Sequence, residues 1–146
     1  MMMFGDSRLA CLFLAVLIAL VAGCGGGGAD TSPPTIRDQR ADKPSDFSWR
    51  GGAVALSATV ETPSGVRSVV AAITKPDGSA SSVTLQPTGG STFSGSYQST
   101  ANVRSDGQVE TYRVTITATD SNGVSGSTAE FTFSVPAPQA PPVEPT

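Results

Sequence analysis

Tyr112-Arg113-Val114-Thr115-Ile116-Thr117-Ala118-Thr119 is the stretch that decides the fold. Tyr112, Val114, Ile116 and Ala118 alternate with Arg113, Thr115, Thr117 and Thr119. Four alternations, rich in β-branched side chains, predict a strand with one apolar face rather than a helix. Asp120-Ser121-Asn122-Gly123 then supplies hairpin-turn chemistry. Ala129, Phe131, Phe133 and Val135 form the last inward row of the chain. From Pro136 onward there are five prolines in 11 residues. That density predicts a polyproline-like, disordered tail over 137–146.

Working back toward the N-terminus, strand signals recur at regular spacing. Thr100 to Gln108 reads as a long polar crossing. Phe93 and Tyr97 point one way around Gly95, and Gly89-Gly90 marks a turn within 86–91. Val83 and Leu85 make a short strand, preceded by the turn Lys75-Pro76-Asp77-Gly78. Val69, Ala71 and Ile73 share an inward face, and Thr62-Pro63-Ser64-Gly65 turns before them. Val54, Leu56, Ala58 and Val60 alternate with Ala55, Ser57, Thr59 and Glu61. Phe47 and Trp49 share one strand face, and Gly51-Gly52 turns after them. The charged segment Asp38 to Asp46 reads as loop, and Ile36 begins a first edge strand. Seven strand signals with no helix among them predict an all-β, seven-stranded antiparallel sandwich over 35–136.

The N-terminus has a different character. The run Leu9 to Ala22 is apolar and 14 residues long. A membrane-spanning helix needs about 20 residues, whereas a signal-peptide core takes about 7–15. Arg8 precedes the run, and Val21-Ala22-Gly23-Cys24 ends it. Those four residues resemble a bacterial lipobox: an aliphatic residue, two small residues, then cysteine. The resemblance implies a helical signal peptide over 1–23, cleavage before Cys24 and acyl chains on its thiol. Two or three chains would hold the protein on a membrane, where one chain binds only marginally. Residues 24–34 are Gly-rich, then polar, and read as a flexible linker. Gly25 stands where an inner-membrane retention signal would place aspartate. In a host with two membranes the resemblance therefore implies the outer one. Cell envelope, on the extracytoplasmic side, is the expected location.

A second resemblance lies in the β-rich region. Phe-x-Trp-x-Gly-Gly-x-Val-x-Leu at 47–56, Ser-Gly-Val-x-Ser-Val at 64–69 and Pro-Asp-Gly at 76–78 resemble a bacterial immunoglobulin-like module. So do Phe-Ser-Gly-Ser-Tyr at 93–97 and Tyr-x-Val-x-Ile-x-Ala-x-Asp-x-x-Gly at 112–123, the latter also similar to a late fibronectin type III strand. Such modules serve as spacers or adhesive units in exported proteins. Tyr112 matches the tyrosine-corner position, which implies a hydroxyl bonded to backbone in the crossing before it. The disulfide and buried tryptophan of antibody domains have no counterpart, since Val114 stands where the second cysteine would be.

Composition narrows the function. The chain has no histidine, which removes the commonest general base and metal ligand. Its two cysteines are Cys11, in the signal, and Cys24. No Gly-x-Ser-x-Gly elbow occurs, and the glycines after Cys24 follow no strand. No catalytic residue, metal site or cofactor is therefore expected. The net charge is −3 and the basic residues are scattered singly, which argues against nucleic acid. Carboxylates are spread over separate turns, Asp77 and Asp106 in two and Asp120 in another. Loops on a rigid sandwich are where binding resides. The topology implied by the resemblance gathers loops 62–65, 86–91 and 120–126 at one pole. Gly89, Gly90, Asp120, Asn122 and Gly123 are the candidate binding-pole residues, for an envelope protein or glycan. The expected function is a lipid-anchored, non-catalytic binding or structural module. The first rival is an accessory subunit of a larger envelope complex, docked through an exposed edge at Phe47 to Trp49; the second is a hydrolytic or transfer enzyme, which would need convergent carboxylates in a pocket that the turn-bound acids do not predict.

Overall fold

The computed structural model describes residues 28–139. The signal segment 1–23, Cys24 and the tail from Ala140 lie outside the described residues. Eight strands follow in order: β1 (Thr35–Asp42), β2 (Gly52–Glu61), β3 (Val66–Thr74), β4 (Ala80–Gly89), β5 (Thr92–Ser99), β6 (Glu110–Asp120), β7 (Ser125–Ser127) and β8 (Phe131–Val135). No helix occurs among the described residues. The fold is all-β, in two antiparallel sheets.

The first sheet is β1–β2–β5, completed by the end of β4. The second is the beginning of β4, then β3 and β6, with β7 and β8 both beyond β6. Strand β4 belongs to both. It pairs β3 as far as Leu85 and β5 from Gln86 onward. Gly95 makes this crossing possible. A Cβ at Gly95 would lie 2.8 Å from Val83 Cγ1, 2.9 Å from Leu85 Cδ2 and 3.2 Å from the Thr84 carbonyl. Any larger residue would push β4 off β5.

The period-two rows become one core between the sheets. Val54, Leu56, Ala58 and Val60 of β2 meet Val69, Ala71 and Ile73 of β3 and Val114, Ile116 and Ala118 of β6. Fully burying each of the Val, Leu and Ile side chains among them contributes about 1.5–3 kcal/mol. Aromatic rings close one end. Tyr112 stacks on Phe133 with ring centroids 4.8 Å apart, and Tyr97 meets both rings edge-on.

Four sequence expectations are corrected. The charged stretch from Asp38 is not loop, because β1 runs through to Asp42. Its register shifts between Arg37 and Arg40, and Asp38 takes a left-handed φ of 52°. A bulge and outward charges are how an edge strand stays unpaired with other chains. Phe47 and Trp49 do not form a strand edge. Phe47 N–H closes a turn on the Pro44 carbonyl at 3.1 Å, and only an isolated bridge joins Ser48 to Gly51. Residues 86–89 extend β4 instead of turning, since β5 offers them a new partner. Ala129 is exposed, outside the inward row. Thr128 takes over the local pairing: its N–H donates to the Ile116 carbonyl and its Oγ1 accepts the Ile116 N–H. The last row is thus confined to β8, the separate short β7 precedes Thr128, and the strand total is eight rather than seven.

Candidate functional site

Loops gather at two opposite poles, and each holds a different set of side chains. At the first, the β2–β3 turn meets the β6–β7 turn. Ser121 N–H donates to the Gly65 carbonyl at 2.9 Å, and Asn122 Nδ2 donates to Ser64 Oγ at 2.9 Å. The chain upstream of β1 ends on the same pole. Asn122 Nδ2 also reaches the Asp30 carbonyl at 3.1 Å, and Ser64 Oγ lies 3.5 Å from Asp30 Oδ2. Pro34 is buried, with its carbonyl over Gly126 so closely that a Cβ there would collide with it. The linker is thus tied to the domain from Asp30 onward.

The candidate binding-pole residues have visible local duties here. Asp120 is fully buried, and its Oδ1 accepts the N–H groups of Asn122 at 2.9 Å and Val124 at 2.8 Å. It holds the turn from inside and presents nothing to solvent, while its Oδ2 is buried without a partner among the described residues. Gly89, Gly90 and Gly123 have φ of 144°, 56° and 84°, conformations that favour glycine. Asn122 spends its amide on the linker. Gly90 and Gly65 share a crevice of about 620 Å³, opened where β4 leaves β3. Its floor is Val66, Val69, Leu85 and Phe93, and its rim includes Glu61 and Arg67. Glu61 is already paired with Arg37 at 3.3 Å.

The second pole is built by the segment Ala101–Val109 against Phe47–Gly51 and the Lys75–Asp77 turn. Asn102 N–H donates to the Trp49 carbonyl at 2.7 Å. Asn102 is fully buried, and its Nδ2 donates to Gln108 O at 2.8 Å, Pro136 O at 3.0 Å and, more weakly, Val135 O at 3.4 Å. Its Oδ1 accepts the Arg104 N–H at 3.0 Å. One side chain therefore closes the neck of the loop and pins it to the end of β8. Tyr112 lies beneath. The Thr100 N–H donates to its Oη at 3.3 Å, and Thr100 Oγ1 sits 2.9 Å from the same atom. The Arg50 guanidinium covers the half-buried Trp49 ring at 4.8 Å, and the Lys43 ammonium lies 5.3 Å from the Phe47 ring centre. A shallow crevice of about 300 Å³ separates the Lys75–Asp77 turn from Thr100–Val103.

Carboxylates are engaged locally. Arg104 grips Asp106 through both Nε, at 3.0 Å from Oδ1, and NH2. That contact, with the Gln108 N–H, holds the Asp106 carboxyl down to about 2. Ser79 holds Asp77 below the ordinary value by hydrogen bonds from its hydroxyl and its N–H. Among the described residues no three acidic, histidine or cysteine side chains gather as metal ligands. The arrangement can present surfaces and recognise partners by contact.

Sequence reasoning missed Asn102 and the Asp30 tether. Asn102 sits in a polar stretch without periodicity, and its partners at 135 and 136 are 33 and 34 positions away. Nothing local signals such a bond. Comparison with protein-family models, with curated proteins and with solved structures gives no match.

Proposed function

We propose that this chain is a bacterial lipoprotein carrying one immunoglobulin-like sandwich. It acts as a non-catalytic binding or structural module on the extracytoplasmic face of the envelope. The observation that carries the reading is Val21-Ala22-Gly23-Cys24 at the end of a 14-residue apolar run. The sandwich reading is supported by β1–β2–β5 facing β3–β6–β8 across one core. A β4 that changes sheet and a Tyr112 hydroxyl latched to Thr100 add to it. In a host with two membranes the outer one is the proposed site.

Geometry sets the stance of such a protein. Cys24 and Asp30 are six positions apart. At about 3.3–3.6 Å per residue, that chain spans at most roughly 20 Å. The pole holding Ser64 and Asn122 then faces the bilayer, with little room beneath it. N-terminal mass spectrometry and membrane fractionation test the proposal. The expected result is a mature chain starting at acylated Cys24 and sedimenting with membranes, with Cys24→Ala shifting it to the soluble fraction. An unmodified Cys24 in a soluble wild-type chain sinks the lipoprotein reading.

A further inference from the structure

We infer that the crevice between β3 and the end of β4 receives one acyl chain carried by Cys24. This rests on the lipid-anchored reading, which puts acyl chains on Cys24 and turns the Ser64–Asn122 pole toward the membrane.

The path of β4 makes the crevice. Strand β4 pairs β3 as far as Leu85 and then leaves it for β5. Val66 and Ser68 of β3 keep β6 on one side, opposite Asp120 and Thr119, and have no β4 residue opposite them on the other. The resulting crevice of about 620 Å³ falls within the range of about 300–1,000 Å³ that ligand sites occupy. Val66 and Phe93, both half-buried against the core, line it together with buried Val69 and Leu85. The charged side chains of its lining are Glu61 and Arg67, both exposed. Glu61 is paired with Arg37. Arg67 stands at the bulge between Val66 and Ser68. An arginine stem can lie along an apolar chain while its guanidinium stays in water. An uncharged hydrocarbon therefore covers the floor and strands neither charge of the rim.

Position selects the chain on Cys24 as that hydrocarbon. Gly65 and Val66 line the crevice and directly follow Ser64. Ser64 Oγ lies 3.5 Å from Asp30 Oδ2, and Asn122 Nδ2 donates to the Asp30 carbonyl. The tether therefore ends beside the crevice. Cys24 is six positions before Asp30, within roughly 20 Å of it along the chain, and an acyl chain adds its own length to that reach. The Val60 N–H donates to the Ser91 carbonyl, which sets the β4–β5 turn at the same pole as the tether. The smaller crevice beside Lys75–Asp77 lies at the opposite pole. Two acyl chains already anchor a protein stably. A third, on the amine freed by cleavage, can pass from the bilayer into a crevice on the facing pole without loosening the anchor. There it keeps water from Val66 and Phe93.

The test uses the full chain in intact cells. A benzophenone amino acid, which inserts into nearby C–H bonds on irradiation, is placed at Gln86 or Ser91 in the crevice lining. For contrast it is placed at Ser121, on the same pole, and at Val103, on the other. Mass spectrometry of the digested protein reads what the probe has joined. The expected result is an internal link from Gln86 and from Ser91 to the acyl group of the Cys24 peptide, with none from Ser121 or Val103. With the probe at Gln86, Val66→Asp should reduce the link by about tenfold or more, since a charge is set against the hydrocarbon. Circular dichroism checks that this variant folds. Ser91→Trp, which fills the crevice from an exposed position, should reduce the link likewise and serves if Val66→Asp does not fold. Absence of the internal link, an equal link from Ser121, or a link that ignores the folded variants overturns the proposal. A probe joined instead to a free phospholipid, to another protein or to a second copy also overturns it. The mass of the Cys24 peptide tests the anchor separately: an unmodified Cys24 sinks the lipoprotein reading, whereas an acylated Cys24 without the link sinks this proposal alone.

Discussion

Replacing Asn102 by alanine removes one buried side chain and disturbs four backbone groups around it. Its Nδ2 has two hydrogens, which satisfy Gln108 O at 2.8 Å and Pro136 O at 3.0 Å, with Val135 O at 3.4 Å a weak third. Its Oδ1 satisfies the Arg104 N–H at 3.0 Å. Three good bonds are lost. Each typical bond contributes about 0.5–1.5 kcal/mol net, and a group left buried and unsatisfied costs about 1–3 kcal/mol. Water can reach the Gln108 and Arg104 groups, because both residues are exposed. Val135 is fully buried. The expected loss is therefore about 2–4 kcal/mol, below the simple sum of maxima. Asn102→Asp is the sharper variant. It keeps the size but turns a carboxylate oxygen toward three carbonyl oxygens, so it should cost more than alanine at neutral pH. The assay is urea unfolding followed by circular dichroism, on protein beginning at Gly28, with Asn102→Ala and Asn102→Asp beside wild type. Midpoints should fall while the slopes stay equal, since the surface exposed on unfolding is unchanged. A loss under about 0.5 kcal/mol for alanine, or an Asp variant as stable as the Ala variant, would refute the reasoning that Asn102 pins the loop to β8.

Two further outcomes follow from the geometry. Gly95→Ala should destabilise by about 1–3 kcal/mol through overpacking, because its Cβ would meet Val83, Leu85 and the Thr84 carbonyl at 2.8–3.2 Å; urea melts measure this, and a neutral variant would mean that β4 does not cross there. Asp106 should titrate near 2 in carbon-detected NMR, and Arg104→Ala should return it toward 3.8. Because its folded value is depressed, whatever stability Asp106 adds is present above about 3.8 and lost as pH falls through about 2. An Asp106 midpoint that ignores Arg104→Ala would contradict the ion pair.

The sequence by itself determined the all-β class and which faces turn inward on β2, β3 and β6, because a period of two is written locally in consecutive residues. It also determined the β6–β7 turn, since Gly123 takes a φ of 84° that favours glycine. Of the candidate pole residues, Gly90 and Gly123 were legible as turns, whereas Gly89 is the last residue of β4. The buried duty of Asp120 was not, because it depends on packing at the end of β6. Tertiary structure alone decided the path of β4. Gln86–Gly89 reads as a turn in isolation and becomes strand because β5 offers partners there. The same holds for β1, whose charges suit a loop until β2 lies beside it. Asn102 shows the limit most plainly. An asparagine in a polar stretch could face water, and only the arrival of Val135 and Pro136 from more than 30 positions away makes it the pin of a loop. Local pattern sets which residues must be hidden. The long-range pairing that hides them also chooses which polar groups are caught inside, and that choice leaves no periodic trace in the chain.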